Sequence, residues 1–100
     1  MPEVAAQYGF KYEHVGASAT AQVLGATGAA GDYLHRLIIT VSTAATSTVS
    51  LLDNNASHTL LAANSAIGVY SVEVNSKSVN GAWKVTTGAG AEVLAIGNFT

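Results

Sequence analysis

Residues 49–61 read Val-Ser-Leu-Leu-Asp-Asn-Asn-Ala-Ser-His-Thr-Leu-Leu, and this stretch carries the clearest local signal of the chain. Two short, largely apolar segments, Val49–Asp53 and Ser57–Leu61, flank the pair Asn54–Asn55. Asparagine tolerates the positive φ angles that a tight two-residue hairpin loop requires. The pattern therefore predicts an antiparallel hairpin in which Asp53 lies opposite Ala56.

Extended segments are predicted on both sides of this hairpin. Before it, Asp32–Ser42 is the longest candidate strand, and its nearly continuous apolar centre is typical of a central strand that is covered on both faces. After it, Gly68–Asn75 alternates apolar and polar residues, which predicts a half-buried strand with Tyr70, Val72 and Val74 on one face. The remaining candidates are the segment around Tyr8, Phe10 and Tyr12, Ser18–Gly25, Ala82–Thr87 and Ala91–Phe99.

The chain as a whole favours an all-β fold. Its alanines are interleaved with Thr, Ser, Gly and Val, and no window keeps the 3.6-residue apolar stripe of a helix. About eight short strands separated by frequent turns are typical of an antiparallel β-sandwich or jelly roll. We expect a single domain over residues 10–100, with residues 1–9 as an N-terminal arm or short extension.

Composition argues against several classes of function. A net charge of −2 gives no basic footprint for nucleic acid, and the lack of cysteine excludes disulfides, thiolate zinc sites and cysteine nucleophiles. No apolar run approaches the roughly 20 residues of a membrane-spanning helix. The start of the sequence shows no basic region followed by an apolar stretch, so we expect no secretory signal.

Residues that could carry catalysis are few. The three histidines, His14, His35 and His58, have none of the spacings of a local metal motif. A triad could in principle assemble from Asp32, His35 and the pair Ser57–His58, because triads are defined in space rather than in sequence. No motif supports such a site, and we expect neither enzymatic activity nor a cofactor.

Three aromatic residues, Tyr8, Phe10 and Tyr12, recur at every second position and therefore lie on one face of an extended segment. Such a row is most often the inward face of a strand. The alternative is a surface that contacts a partner, either an added strand in a groove of another protein or a platform for sugar rings. Trp83 is expected in the core rather than in a ligand platform.

The low fraction of charged residues indicates that the protein associates with other protein surfaces. Only 10% of residues are charged, and the single proline is at position 2, so the strands have few of the devices that normally prevent edge-to-edge pairing. We therefore expect some edges or faces to be covered permanently in a symmetric oligomer or a larger assembly.

The last fifth of the chain carries a resemblance. Residues 81–100, Gly-Ala-Trp-Lys-Val-Thr-Thr-Gly-Ala-Gly-Ala-Glu-Val-Leu-Ala-Ile-Gly-Asn-Phe-Thr, contain a G-x-W-x-V-T-T-G-A stretch that leads into an apolar final strand. This run resembles the closing hairpin of small tailed-phage capsid decoration, or cement, proteins. The stretch Gly31–Leu34 followed by Leu37–Ile39 also looks like the opening of their core sheet, so the similarity extends from Gly31 onward.

The resemblance implies a structural virion protein with no catalytic role. Its expected partners are the major capsid protein, whose neighbouring subunits it would bridge, and copies of itself, commonly as a homotrimer. Its expected location is the capsid exterior after synthesis in the host cytoplasm. A tail or head-fibre component would share this fold, and a carbohydrate- or receptor-binding module that uses exposed aromatic residues is the alternative from another class.

Overall fold

The computed structural model describes residues 10–43 and 47–100, which form eight β-strands and no helix. The predicted arm, residues 1–9, lies outside the described residues, and Tyr8 lies outside with it. The strands are β1 (Lys11–Val15), β2 (Gln22–Val23), β3 (Tyr33–Val41), β4 (Val49–Asp53), β5 (Ala56–Leu61), β6 (Gly68–Lys77), β7 (Trp83–Thr86) and β8 (Ala91–Asn98).

The pairing of the strands is nested around the Asn54–Asn55 turn. Strand β4 pairs with β5, β3 with β6, β2 with β7 and β1 with β8, and every pair is antiparallel. Lateral pairing of β3 with β8 and of β4 with β7 completes two four-stranded sheets. The first sheet has the order β1-β8-β3-β6 and the second the order β2-β7-β4-β5. This is the strand order of a jelly roll, so the predicted all-β sandwich is confirmed.

One core fills the space between the two sheets. Alternate residues of the central strands are buried there, because successive side chains of a strand point to opposite faces. Strand β8 shows the alternation clearly: Ala91, Val93 and Ala95 are buried, while Glu92 is exposed. The largest fully buried side chains include Leu24, Leu34, Leu37, Ile39, Val85 and Phe99.

Two sequence expectations need correction. The segment Ser18–Gly25 forms only the two-residue strand β2, because Ser18 and Ala21 have positive φ angles of 60° and 47° that interrupt an extended chain. Strand β3 is central, as expected, but it is not covered on both faces. Its inner residues are buried, whereas Ile38 is only partly buried and Thr40 is exposed on the other side.

The hairpin that the sequence predicts is present in the expected register, with Asp53 opposite Ala56. Asn54 has a φ of 58°, in the left-handed region that asparagine tolerates better than most residues. The carboxylate of Asp53 accepts hydrogen bonds from the backbone amides of Val79 and Asn80, at 2.9 and 3.0 Å. These bonds fasten the loop between β6 and β7 to the end of β4.

Replacing Asn54 tests the role of this turn. We expect Asn54→Ala to lower the free energy of unfolding by about 1 kcal/mol, because alanine lacks the local polar compensation that lets asparagine occupy positive φ. Asn55→Ala is the matched control, since Asn55 is exposed and does not have a positive φ. Urea unfolding of both variants measures the difference, and equal losses would contradict the assignment.

Candidate functional site

The outer face of the first sheet is the candidate site. Cross-strand pairing places its side chains in rows that run across all four strands. One row consists of Tyr12, Ile96, Arg36 and Glu73, and the next of His14, Leu94, Ile38 and Ser71. In these two rows the middle strands, β8 and β3, contribute three apolar side chains, Ile96, Leu94 and Ile38, and one charged side chain, Arg36. Ile38, Leu94 and Ile96 are only partly buried, because no second layer of the described residues covers them.

A β-bulge in β3 shapes this face. The register of β3 with β8 shifts between Leu34 and Arg36, where two steps along β3 meet one step along β8, so His35 is an extra residue of β3 relative to β8. Relative to β6 the extra residue lies in β6 instead, because the same two steps meet three steps from Ser76 to Glu73. Leu34 and Leu37 are both buried on the inner side. The two residues between them, His35 and Arg36, consequently both belong to the outer side.

An aromatic cluster lies at one end of the outer face. The Phe10 ring centroid is 5.4 Å from that of Tyr33 and 5.0 Å from that of His35, in tilted arrangements. The Tyr33 hydroxyl donates a hydrogen bond to Asn75 Oδ1 at 3.2 Å, and it lies 3.2 Å from His35 Nδ1. This chain of bonds holds the imidazole beneath Phe10.

The two described members of the predicted aromatic row are exposed. Tyr12 has 75% of its surface accessible, and Phe10 has 38%. Inward orientation, the commoner outcome for such a row, is therefore wrong for these two residues. The reason is the register of β1: Val15 is buried in the core, so Tyr12, three positions away, must point outward.

Two close pairs of polar or charged side chains lie on the outer face beside the apolar residues. His14 Nε2 lies 2.8 Å from Glu92 Oε1, and Arg36 Nη2 donates to Glu73 Oε2 at 2.8 Å. The second pair joins neighbouring strands β3 and β6 within one chain. Such exposed pairs contribute little to stability.

The remaining candidate residues of the sequence are not brought together. Trp83 is buried, and its Nε1 donates to the backbone oxygen of Asp32 at 2.9 Å, so Trp83 is a core residue, as expected. The carboxylate of Asp32 accepts bonds from the amide of Ala29 and from the amide and hydroxyl of Thr100. His35 belongs to the first sheet and His58 to the second. Asp32, His35 and the pair Ser57–His58 thus do not form a triad.

Residues 10–43 and 47–100 contain no group of three or more His, Cys, Asp or Glu side chains placed to hold a metal ion. The same ranges contain no helix with the length and hydropathy that crossing a membrane requires.

The sequence of the last strand, β8, already indicated that the centre of the outer face is apolar. Val93 and Ala95 alternate with Leu94 and Ile96, so both faces of β8 are apolar.

Comparisons of the chain with protein-family models, with curated proteins and with solved structures return no match.

Proposed function

We propose that the protein is a non-catalytic structural component of a phage virion. It decorates or cements the capsid exterior by bridging neighbouring subunits of the major capsid protein through the outer face of its first sheet. Binding to the assembled shell, and not to its separate subunits, stabilises the shell by mass action. Many copies on one lattice add their weak contacts through multivalency.

The observation that carries this proposal is the exposed apolar and aromatic strip of the outer face. Tyr12 lies opposite Ile96, with Leu94 in the next row, and Phe10 packs on Tyr33 and His35 at one end of the face. A sheet face that exposes aromatic and aliphatic side chains suits contact with another protein surface.

The fold and the resemblance support the same reading by analogy. Jelly rolls recur in viral capsid proteins, although a fold alone does not determine a function. The run at residues 81–100 that resembles decoration proteins supplies β7 and β8, and β8 contributes Leu94 and Ile96 to the outer face.

Replacing Tyr12 tests the proposal directly. We expect Tyr12→Glu to weaken cosedimentation with purified phage capsids by about tenfold or more, because an exposed aromatic anchor is replaced by a charge that must be desolvated. Since Tyr12 is exposed, its replacement leaves the core unchanged.

The matched control is Thr59→Glu, which introduces the same charge at an exposed position of β5 in the second sheet. We expect this variant to bind capsids like the unmodified chain. Equal binding by both variants, or a loss confined to Thr59→Glu, would contradict the proposed face. Unmodified protein that binds no shell would contradict the proposed function itself.

Exposure of the same rings favours one second candidate, a carbohydrate- or receptor-binding module. Phe10 and Tyr12 are accessible, and polar groups of His14 and Glu92 lie on the same face. Stacking of a sugar ring on Tyr12 would be detected on a glycan array and lost in Tyr12→Ala. Trp83 is no part of this platform, because it is buried.

A further inference from the structure

Within the described residues, 10–43 and 47–100, strand β6 is a free edge of the first sheet. It pairs with β3 on one side only, and among the described strands it is the longest, with ten residues. An edge strand presents unpaired backbone N–H and C=O groups, which are a template for another strand. Residues 68–76 contain neither proline nor lysine, the residues that most often protect such an edge.

The other described edges are less suited to pairing. Strand β2 has two residues, and β1 has five and begins with Lys11. Strand β5 has six residues, and its register with β4 shifts between Val49 and Ser50. Strand β6 has its own register shift, between Ser76 and Glu73, where Asn75 has a φ of 51°. From Glu73 back to Gly68 its register with β3 is unshifted, and these six residues are the regular part of the edge.

The inner face of β6 is only partly covered. Tyr70, Val72 and Val74 point toward the core but remain half-buried, as do Leu60 and Leu61 of the other edge strand, β5. The sandwich is therefore open along this side. A strand added beside β6 would extend the first sheet and cover these side chains.

We propose that the occupant of this edge is β6 of a second copy, paired antiparallel across a two-fold axis at Val72. In this register Val72 faces Val72 of the second copy, and Tyr70 faces Val74, so the inner row is apolar throughout. On the outer side Ser71 faces Glu73, which keeps the two Glu73 carboxylates from facing each other. Arg36 of the same chain already compensates each Glu73.

The alternative register, centred on Ser71, matches less well. It places Val69 opposite Glu73 and Gly68 opposite Val74, which sets an apolar side chain against a carboxylate and leaves a valine without a neighbour. Directly opposed cross-strand side chains contribute most to the energy of sheet pairing. Of these two registers, the one with its axis at Val72 therefore brings the better-matched side chains opposite each other.

A two-fold pair of this kind joins two sandwiches through a continuous eight-stranded sheet. We therefore propose a homodimer instead of the homotrimer that the sequence resemblance implies, because a strand can pair with its own copy only about a two-fold axis. The inference does not depend on capsid binding, since the mass of the protein is measured without capsids, although Ser71 and Glu73 belong both to the outer face and to the β6 edge.

Charge substitutions at Ser71 test the register. Ser71 is exposed, so either variant can fold. Light scattering of the unmodified chain should give about twice the chain mass of 10.1 kDa. Ser71→Glu should weaken the dimer by about tenfold, because it faces Glu73, whereas Ser71→Lys should retain or strengthen it. The difference should shrink in 1 M salt, where charges are screened.

A cysteine at the axis provides a second, independent measurement. The chain has no cysteine, so Val72→Cys is a single thiol that meets its own copy at the two-fold axis. Oxidation should yield a covalent dimer. Thr40→Cys, on an exposed position of the central strand β3, should not cross-link. A monomer or a trimer by mass, equal effects of the two Ser71 variants, or failure of Val72→Cys to cross-link would each overturn the inference.

Discussion

Trp83→Ala should lower the free energy of unfolding by about 3–5 kcal/mol. Trp83 is buried at the start of β7, and its ring fills part of the space between the two sheets. Alanine would leave a cavity there and remove the hydrogen bond from Nε1 to the backbone oxygen of Asp32. Domains of this size have a total stability of only about 5–15 kcal/mol, so the variant should be close to unfolding.

Trp83→Phe separates packing from hydrogen bonding. Phenylalanine keeps most of the buried area and loses only the indole N–H. The Asp32 oxygen would keep its bond from the amide of Ser78, at 2.9 Å, so the expected loss is only about 1 kcal/mol. Both variants should be compared by urea unfolding at one protein concentration, because self-association contributes to apparent stability. Similar losses in the two variants would show that Trp83 does not pack as described.

The second large effect is expected for Gly97→Ala. Gly97 lies in β8, between Lys11 of β1 and Leu34 of β3. An alanine Cβ there would overlap the backbone oxygen of Tyr33 and approach the Phe99 ring carbons to 2.8 Å. Backbone of the adjacent strand cannot move aside cheaply, so we expect a loss of about 1–3 kcal/mol, or roughly 4–8 °C in Tm per kcal/mol.

Gly16→Ala is the matched control for this substitution. A Cβ at position 16 would meet only the His14 ring, at 4.0 Å, which is ordinary van der Waals contact. We expect its free energy of unfolding to stay within about 0.5 kcal/mol of the unmodified chain. Thermal unfolding of the two variants measures the contrast, and a Gly97→Ala protein as stable as the control would contradict the close packing of β8 against β3.

Local patterns predicted the fold where short-range chemistry decides it. The Asn54–Asn55 turn specified the hairpin and its register, because a two-residue loop leaves the flanking strands little choice of partner. Alternation identified the half-buried inner face of β6. Nesting of the other pairs around the turn could not be read from the sequence, since it depends on contacts between distant segments.

The outer face was only partly predictable. Tyr12 and Phe10 were singled out as contact residues, but alternation alone gave no means to tell an inward row from an outward one. Burial of Val15 decides the orientation of β1. The β-bulge at His35 was also invisible, because strict alternation from Leu37 would put His35 inside and Leu34 outside. Tertiary packing favours Leu34 in the core and forces the extra residue.

Nested pairing also implies an order of assembly. The residues that meet are increasingly distant along the chain: Asp53 with Ala56, Val41 with Gly68, Val23 with Lys84 and Val15 with Val93. Closing a longer loop costs more entropy, so the hairpin can form early and the outer pairs follow, each on the surface already made. During synthesis, β1 is the first of the eight strands to leave the ribosome, but it can pair only after its partner β8, the last of the eight, has been made.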